Sequence, residues 1–211
     1  MSDAELLSFW IKNRHEAIES EASFPIRGWY HALYAPILTQ KRVLDVGCGF
    51  GMDSITLAQK GVKVTFLDIV ESNVRLVEKL CRLLNVTDVD FCYLENRDSL
   101  NLKHDYDFIW CMGSMINAPF EIAKSEAQDI LKYLKKGGRW IELAYPKIRW
   151  EREGSLPFEV WGEKTDGGAP WMEWYDLEKI LQRLSPVKFK PILSLEFHNS
   201  DFNWFDLLRN D

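Results

Sequence analysis

The sequence lacks several features that would each have set a function class. It has no C-x-x-C pair. Cys48, Cys81, Cys92 and Cys111 stand apart, and three of them lie inside apolar runs, where a reduced thiol packs as a small hydrophobe. That pattern sets aside disulfides and zinc in favour of free thiols in a reducing compartment. No His/Cys cluster falls at metal-ligand spacing, so no metal is expected. No apolar run approaches ~18 residues, which excludes a membrane-spanning helix. The stretch MSDAELLSFWIKNRHEAIES has no charged-then-apolar signal pattern, and the expectation is a cytoplasmic protein without a membrane partner. There is no basic excess either. The 26 Lys and Arg against 32 Asp and Glu leave a net charge of −6, the wrong sign for a broad grip on a nucleic-acid backbone.

Tryptophan, by contrast, is abundant: nine residues, with Trp140, Trp150, Trp161, Trp171, Trp174 and Trp204 in the last third. Aromatics gathered in this way either line a ligand cleft or fill a bulky core.

Apolar periodicity organises the rest. Asp3 to about Glu21 reads as an amphipathic helix capped by Ser2 or Asp3. Pro25, Gly28 and Pro36 then break SFPIRGWYHALYAPILTQ into a loop, a short helix and a loop. From Lys41, apolar runs alternate with helices. RVLDVG, VKVTFLD, VDFCYLE, YDFIWCMG and RWIELAYP read as strands. MDSITLAQKG, SNVRLVEKLCRLLN with Ser72 as cap, and APFEIAKSEAQDILKYLKKGG read as helices, the last with its lysines at the C-terminus, where the helix dipole favours them. Strands that are apolar throughout and alternate with helices give an α/β, doubly wound, mostly parallel sheet. After Pro146 the rhythm fails over a long Gly-, Pro- and Trp-rich loop. A helix from about Trp174 to Leu184 and two runs, PILSLEFH and FNWFDLL, close the chain as an antiparallel edge hairpin, for seven strands in all.

The first strand-to-helix turn carries Gly47, Gly49 and Gly51. In open α/β sheets this is where ligands bind. Dinucleotides favour G-x-G-x-x-G, whose helix N-terminus takes pyrophosphate. Here the spacing is G-x-G-x-G with Met at 52, and Asp45 precedes the turn. A carboxylate there repels pyrophosphate and suits a cation, such as the amino group or sulfonium of S-adenosylmethionine. Asp68, closing the second strand, stands where an acid holds ribose hydroxyls, which both cofactors possess.

VLDVGCGFG, Asp68 in VTFLDIV, YDFIWCMGSM and LKKGGRWIELAYP, taken in order over Arg42 to Pro146, resemble class I S-adenosylmethionine-dependent methyltransferases. The resemblance implies a Rossmann-like methyltransferase fold in one domain: an N-terminal helical cap (1–40), a cofactor-binding core (41–146), a substrate loop or lid (147–172) and a C-terminal helix and hairpin (173–211). It implies S-adenosyl-L-methionine as cofactor and S-adenosyl-L-homocysteine as product. Asp45 would meet the methionine amino group, with Gly47, Cys48, Gly49 and Gly51 around the methionine part. Asp68 would hold the ribose hydroxyls and Ile69 would pack on adenine. Asn96 takes the place where the family often has an adenine-contacting acid. Met112 and Gly113 would pass under the methyl donor.

For the acceptor the sequence offers candidates. Tyr30, His31 and Tyr145 are candidate catalytic residues. Asn117, Arg149, Trp150 and Trp171 are candidate substrate contacts, with Lys147 and Arg152 beside Arg149. GSMINAP after the fourth strand lacks the pattern of enzymes that methylate nucleic-acid or glutamine amides. The expectation is an enzyme acting on the oxygen or nitrogen of a small polar acceptor, anionic or sugar-like, as a monomer or homodimer. The alternatives are a protein or RNA methyltransferase, a cofactor-binding fold without turnover, and a nicotinamide-dependent oxidoreductase.

Overall fold

Seven apolar segments find their hydrogen-bond partners in one sheet, in the order β3-β2-β1-β4-β5-β7-β6. The strands are β1 (Arg42–Val46), β2 (Lys63–Asp68), β3 (Val89–Tyr93), β4 (Tyr106–Met112), β5 (Leu134–Ala144), β6 (Phe189–Phe197) and β7 (Phe202–Arg209). The computed structural model describes residues 2–96, 100–103, 105–165 and 172–211. Two compact units divide the chain, Met1–Asn101 and Leu102–Asp211.

In the first unit, β1 pairs β2 and β2 pairs β3, both parallel, in keeping with the near-continuous burial of β1 and β2. Helices α3 (Met52–Ala58) and α4 (Glu71–Leu83) make the crossovers. The N-terminal segment forms α1 (Asp3–Arg14), two π-helical turns and α2 (Trp29–Leu38). Ser2 caps α1 in a capping box with Glu5, as expected. Pro36 does not break the segment. It sits inside α2, which gives up the bond from that position to the i−4 carbonyl and ends two residues later. Ser72 is not a cap either: α4 starts one residue earlier, after Val70. The Asp68 carboxylate holds the Val70 N–H at 2.9 Å and the Asn73 amide at 3.1 Å, and so organises that helix start itself.

In the second unit, β4 and β5 are parallel, and β7 runs antiparallel to both β5 and β6. The expected edge hairpin is therefore present, with β6 outermost. Pro191 lies in β6 at a register shift, a place where an edge strand tolerates proline. Helix α5 (Phe120–Leu131) ends earlier than its lysines suggested. LKKGG belongs to β5, where the register against β4 jumps between Tyr106 and Phe108. Gly138 explains the jump: a Cβ there would sit 2.8 Å from the Lys135 carbonyl and 3.0 Å from that of Asp107, an approach only glycine allows. The long aperiodic loop also contains two short helices, α6 (Lys147–Arg152) and α7 (Phe158–Thr165). Helix α8 (Leu177–Leu184) is capped by Asp176, whose carboxylate accepts from the Lys179 N–H at 2.8 Å.

A charged pair is sealed in the second unit. Glu142 on β5 and Arg183 on α8 are fully buried and bonded to each other. Glu142 also accepts from the Trp140 indole at 2.7 Å, and Arg183 lies 4.4 Å over the Tyr175 ring. Removing one partner strands the other charge in the core, whereas removing both does not. Arg183→Met alone should cost about 3–5 kcal/mol in urea unfolding. Adding Glu142→Leu should recover most of that loss. A double variant as unstable as the single one would show that the pair is not the source.

Candidate functional site

Three carboxylates converge on the glycine turn of the first unit, and the chain answers each differently. Gly51 starts α3 with φ of 67°, and a Cβ there would meet Ile55 and Val77 at 2.9 Å. Only glycine lets the turn close onto α3 and α4. Asp68 then pins the turn: its Oδ2 accepts from the Gly49 N–H at 2.9 Å and lies 3.8 Å from the Cys48 sulfur. Gly49 has open space where its side chain would be. A ligand can therefore approach its backbone closely.

Asp53, in the first turn of α3, is the second carboxylate. It accepts from Arg27 at 2.7 Å and from the Tyr30 hydroxyl at 2.9 Å, and it pairs with His31 Nε2 at 2.8 Å. Burial works against its charge. Arg27, then His31 and Tyr30, overcome that and hold the carboxyl well below its ordinary range. This cluster ties the N-terminal segment to the turn, and Phe9 adds an edge-to-face contact with Phe50 at 5.9 Å. Tyr30 and His31, expected as catalytic residues, are both buried at this junction. Burial first, then Asp53, drive the Tyr30 phenol well up. His31 Nδ1 is buried without a hydrogen-bond partner.

Asp45 on β1 is the third. Burial lifts its pKa to about 8; the Ser54 hydroxyl opposes this, and the charges of Asp53 and Asp68 add to it. A carboxyl buried beside two like charges is an electrostatic vacancy for a cation. The residues of the turn could hold S-adenosylmethionine, with Asp45 facing its ammonium, Gly49 allowing close approach and Asp68 facing its hydroxyls. Ile69 follows Asp68 with 72% of its surface exposed, an uncovered apolar side chain beside the turn. Asn96 is exposed after β3. Asp98, an acid two residues further on, lies outside the described residues.

In the second unit, Met112 ends β4, and Gly113 donates to the Leu143 carbonyl at 3.1 Å and accepts from the Asn117 amide at 3.4 Å. Tyr145 follows β5 and bridges to Trp174. Arg149 does not stand open as an anion clamp. It is buried, bonds Glu153 at 2.9 Å and the Asp201 carbonyl at 3.3 Å, and lies 4.1 Å over the Tyr145 ring. Arg152 likewise bonds Asp201. Trp150 donates to the Leu156 carbonyl at 2.7 Å and lies 6.0 Å from Trp174. Trp171 lies outside the described residues. Trp140, Trp161 and Trp204 are core.

Among the described residues, no group of three His, Cys, Asp or Glu could hold a metal ion, and no helix is long and apolar enough to cross a membrane. Sequence reading passed over Asp53. The only local sign of Asp53 was an acid in the first turn after the glycines. Its partners lie 22 to 26 residues upstream.

The raised pKa of Asp45 has a consequence for stability. The unfolded chain ionises this carboxyl near 3.8 and the folded chain near 8. Its contribution is therefore fully present below about pH 4 and is lost as pH rises towards 8. Asp45→Asn should be more stable than the parent in urea, by a margin of a few kcal/mol at pH 8 that shrinks towards pH 5. A margin independent of pH would contradict the assignment.

A family model described as a methyltransferase domain matches residues 43–138. The ubiquinone biosynthesis O-methyltransferase of Bordetella parapertussis is 30% identical over 64% of this chain and 55% of its own length. An S-adenosyl-L-methionine-dependent Diels-Alderase of Neonectria sp. is 31% identical over 46% of this chain and 36% of its own length. The chain thus spans about half or less of these curated relatives. The crystal structure of magnesium protoporphyrin IX methyltransferase from Synechocystis PCC 6803, with bound SAH, shares the fold. Its TM-score is 0.64 at 20% identity, over 90% of this chain and 88% of that one. Residues 43–138 thus match the methyltransferase domain, and the seven-stranded sheet is the fold of the solved methyltransferase.

Proposed function

We propose that the chain transfers a methyl group from S-adenosylmethionine to the oxygen or nitrogen of a small polar acceptor, anionic or sugar-like, in the cytoplasm. The observation that carries this reading is the glycine turn with its three carboxylates, where burial pushes Asp45 up and no cation of the chain is among the groups that shift it. When bound, S-adenosylmethionine supplies a methyl group already activated on a sulfonium, so the chain need only align the acceptor and take its proton.

Asp45 binds the ammonium, Asp68 the ribose hydroxyls, and Gly47 to Gly51 the methionine part. Ile69 and Asn96 serve the adenine, and Met112 and Gly113 the path of the donor. His31 is the candidate base, because Nε2 faces Asp53 while Nδ1 has no partner. Tyr30 serves as a hydrogen-bond donor, since its phenol is held protonated. Tyr145, Asn117, Trp150 and Trp171 shape the acceptor's side. Arg149, spent on Glu153, supports Tyr145 rather than gripping a ligand directly. The N-terminal cap shields the glycine turn from water. A protein or RNA acceptor is disfavoured by the acidic balance.

The Diels-Alderase relative favours one second reading, a site that holds the cofactor and leaves its methyl group in place. Calorimetry with S-adenosylmethionine, S-adenosylhomocysteine and NAD tests the main reading. The first two should bind and NAD should not. Asp68→Asn should weaken binding by about 1–3 kcal/mol. Binding of NAD alone would overturn the proposal. Turnover of an acceptor without release of S-adenosylhomocysteine would establish the second reading instead.

A further inference from the structure

The Asp53 cluster leaves a buried atom without a partner. His31 is 2% exposed, and its Nδ1 makes no hydrogen bond. Buried polar atoms are nearly always paired, so one that is not calls for a reason. Every residue that bears on it lies in the first unit. Tyr30 and His31 are adjacent on α2, and Asp53 stands in the first turn of α3, two residues after Gly51.

The bonds around the ring place its hydrogen. Asp53 Oδ2 accepts from Arg27 at 2.7 Å, and Oδ1 accepts from the Tyr30 hydroxyl at 2.9 Å and meets His31 Nε2 at 2.8 Å. A carboxylate paired with arginine is ionised and can only accept. Nε2 must therefore carry a hydrogen and donate it. Turning the ring over would set a carbon against the carboxylate instead. The Tyr30 ring packs beside the imidazole, 5.1 Å away and tilted by 32°. In the neutral ring the second nitrogen is then a bare lone pair. It can take a hydrogen from a hydroxyl or amine, and it repels another lone pair.

We infer that Asp53 is a positioning residue: it fixes His31 as the Nε2–H tautomer, so that Nδ1 receives the proton of an acceptor hydroxyl or amine. The group to be methylated brings its own hydrogen, and a carboxylate, which has none, is not the nucleophile. As the acceptor's lone pair bonds the methyl carbon, the pair of the broken C–S bond stays on sulfur and the acceptor's proton passes to Nδ1. Asp53 then faces an imidazolium and stabilises it. This role rests on the methyl-transfer reading above; the tautomer does not.

The test reads the ring nitrogens by NMR in the whole chain carrying isotope-labelled histidine, with His31 identified by the loss of its signals in His31→Gln. At neutral pH, Nε2 should give a protonated-type resonance and Nδ1 an unprotonated one. Asp53→Asn, whose amide can donate to Nε2, should move hydrogen onto Nδ1. With S-adenosylhomocysteine bound, phenol should shift Nδ1, and anisole, the same ring without the hydrogen, should not. Hydrogen on Nδ1 of the parent would overturn the proposal with no variant needed, should Asp53→Asn fail to fold. A folded Asp53→Asn with the parent tautomer would remove Asp53 from the role. An anisole response as large as that to phenol, or no response to either, would overturn the hold on the acceptor. Failure of S-adenosylhomocysteine to bind, with the tautomer as stated, would sink the methyl-transfer reading and leave the grip of Asp53 on His31 standing.

Discussion

The Asp68 carboxylate is the point on which the first unit turns. One oxygen holds the Gly49 amide and the Asn73 side chain; the other holds the Val70 amide. A single side chain thus fixes the glycine loop after β1 and the start of α4 after β2. Charge-assisted bonds of this kind are about twice as strong as neutral ones. They also explain why the turn keeps its shape although three carboxylates share it. Asp53 is answered by Arg27, Tyr30 and His31, and Asp68 by amides. Asp45 is left with a raised pKa as the one deficit.

Much of this was legible because it is local. VLDVGCGFG, the acid at the end of β2 and the strand–helix alternation depend on neighbours within a few residues, and the structure repeats them. What was hidden depends on contacts distant in sequence. Asp53 looked like an ordinary first-turn acid until Arg27, Tyr30 and His31 folded onto it. Arg149 resembled an anion clamp, yet burial over Tyr145 spends its charge inside the protein. LKKGG resembled a lysine-rich helix end. The paired glycines were the better signal, since they mark the bulge where β5 passes close to Asp107. The tryptophans divided between both expectations: Trp140, Trp161 and Trp204 fill the core, while Trp174 faces a cleft.

The second unit is stiffened in a different way. Its buried Glu142–Arg183 pair joins β5 to α8, and α8 carries Lys179 to the cleft. Backbone bonds from Glu173 to Ile116 and from Tyr175 to Tyr145 join the segments that follow β4 and β5. These bonds fix the segments after β4 and β5 relative to α8.

The central claim is that Asp45 awaits a cation that the ligand brings. The most direct measurement is the proton balance of S-adenosylmethionine binding, from calorimetry near pH 7 in buffers of different ionisation enthalpy. A carboxyl with a pKa of about 8 is mostly protonated there, and a bound ammonium must expel that proton. The account predicts release of close to one proton by the parent chain and of none by Asp45→Asn. Binding with no proton released by the parent would contradict it.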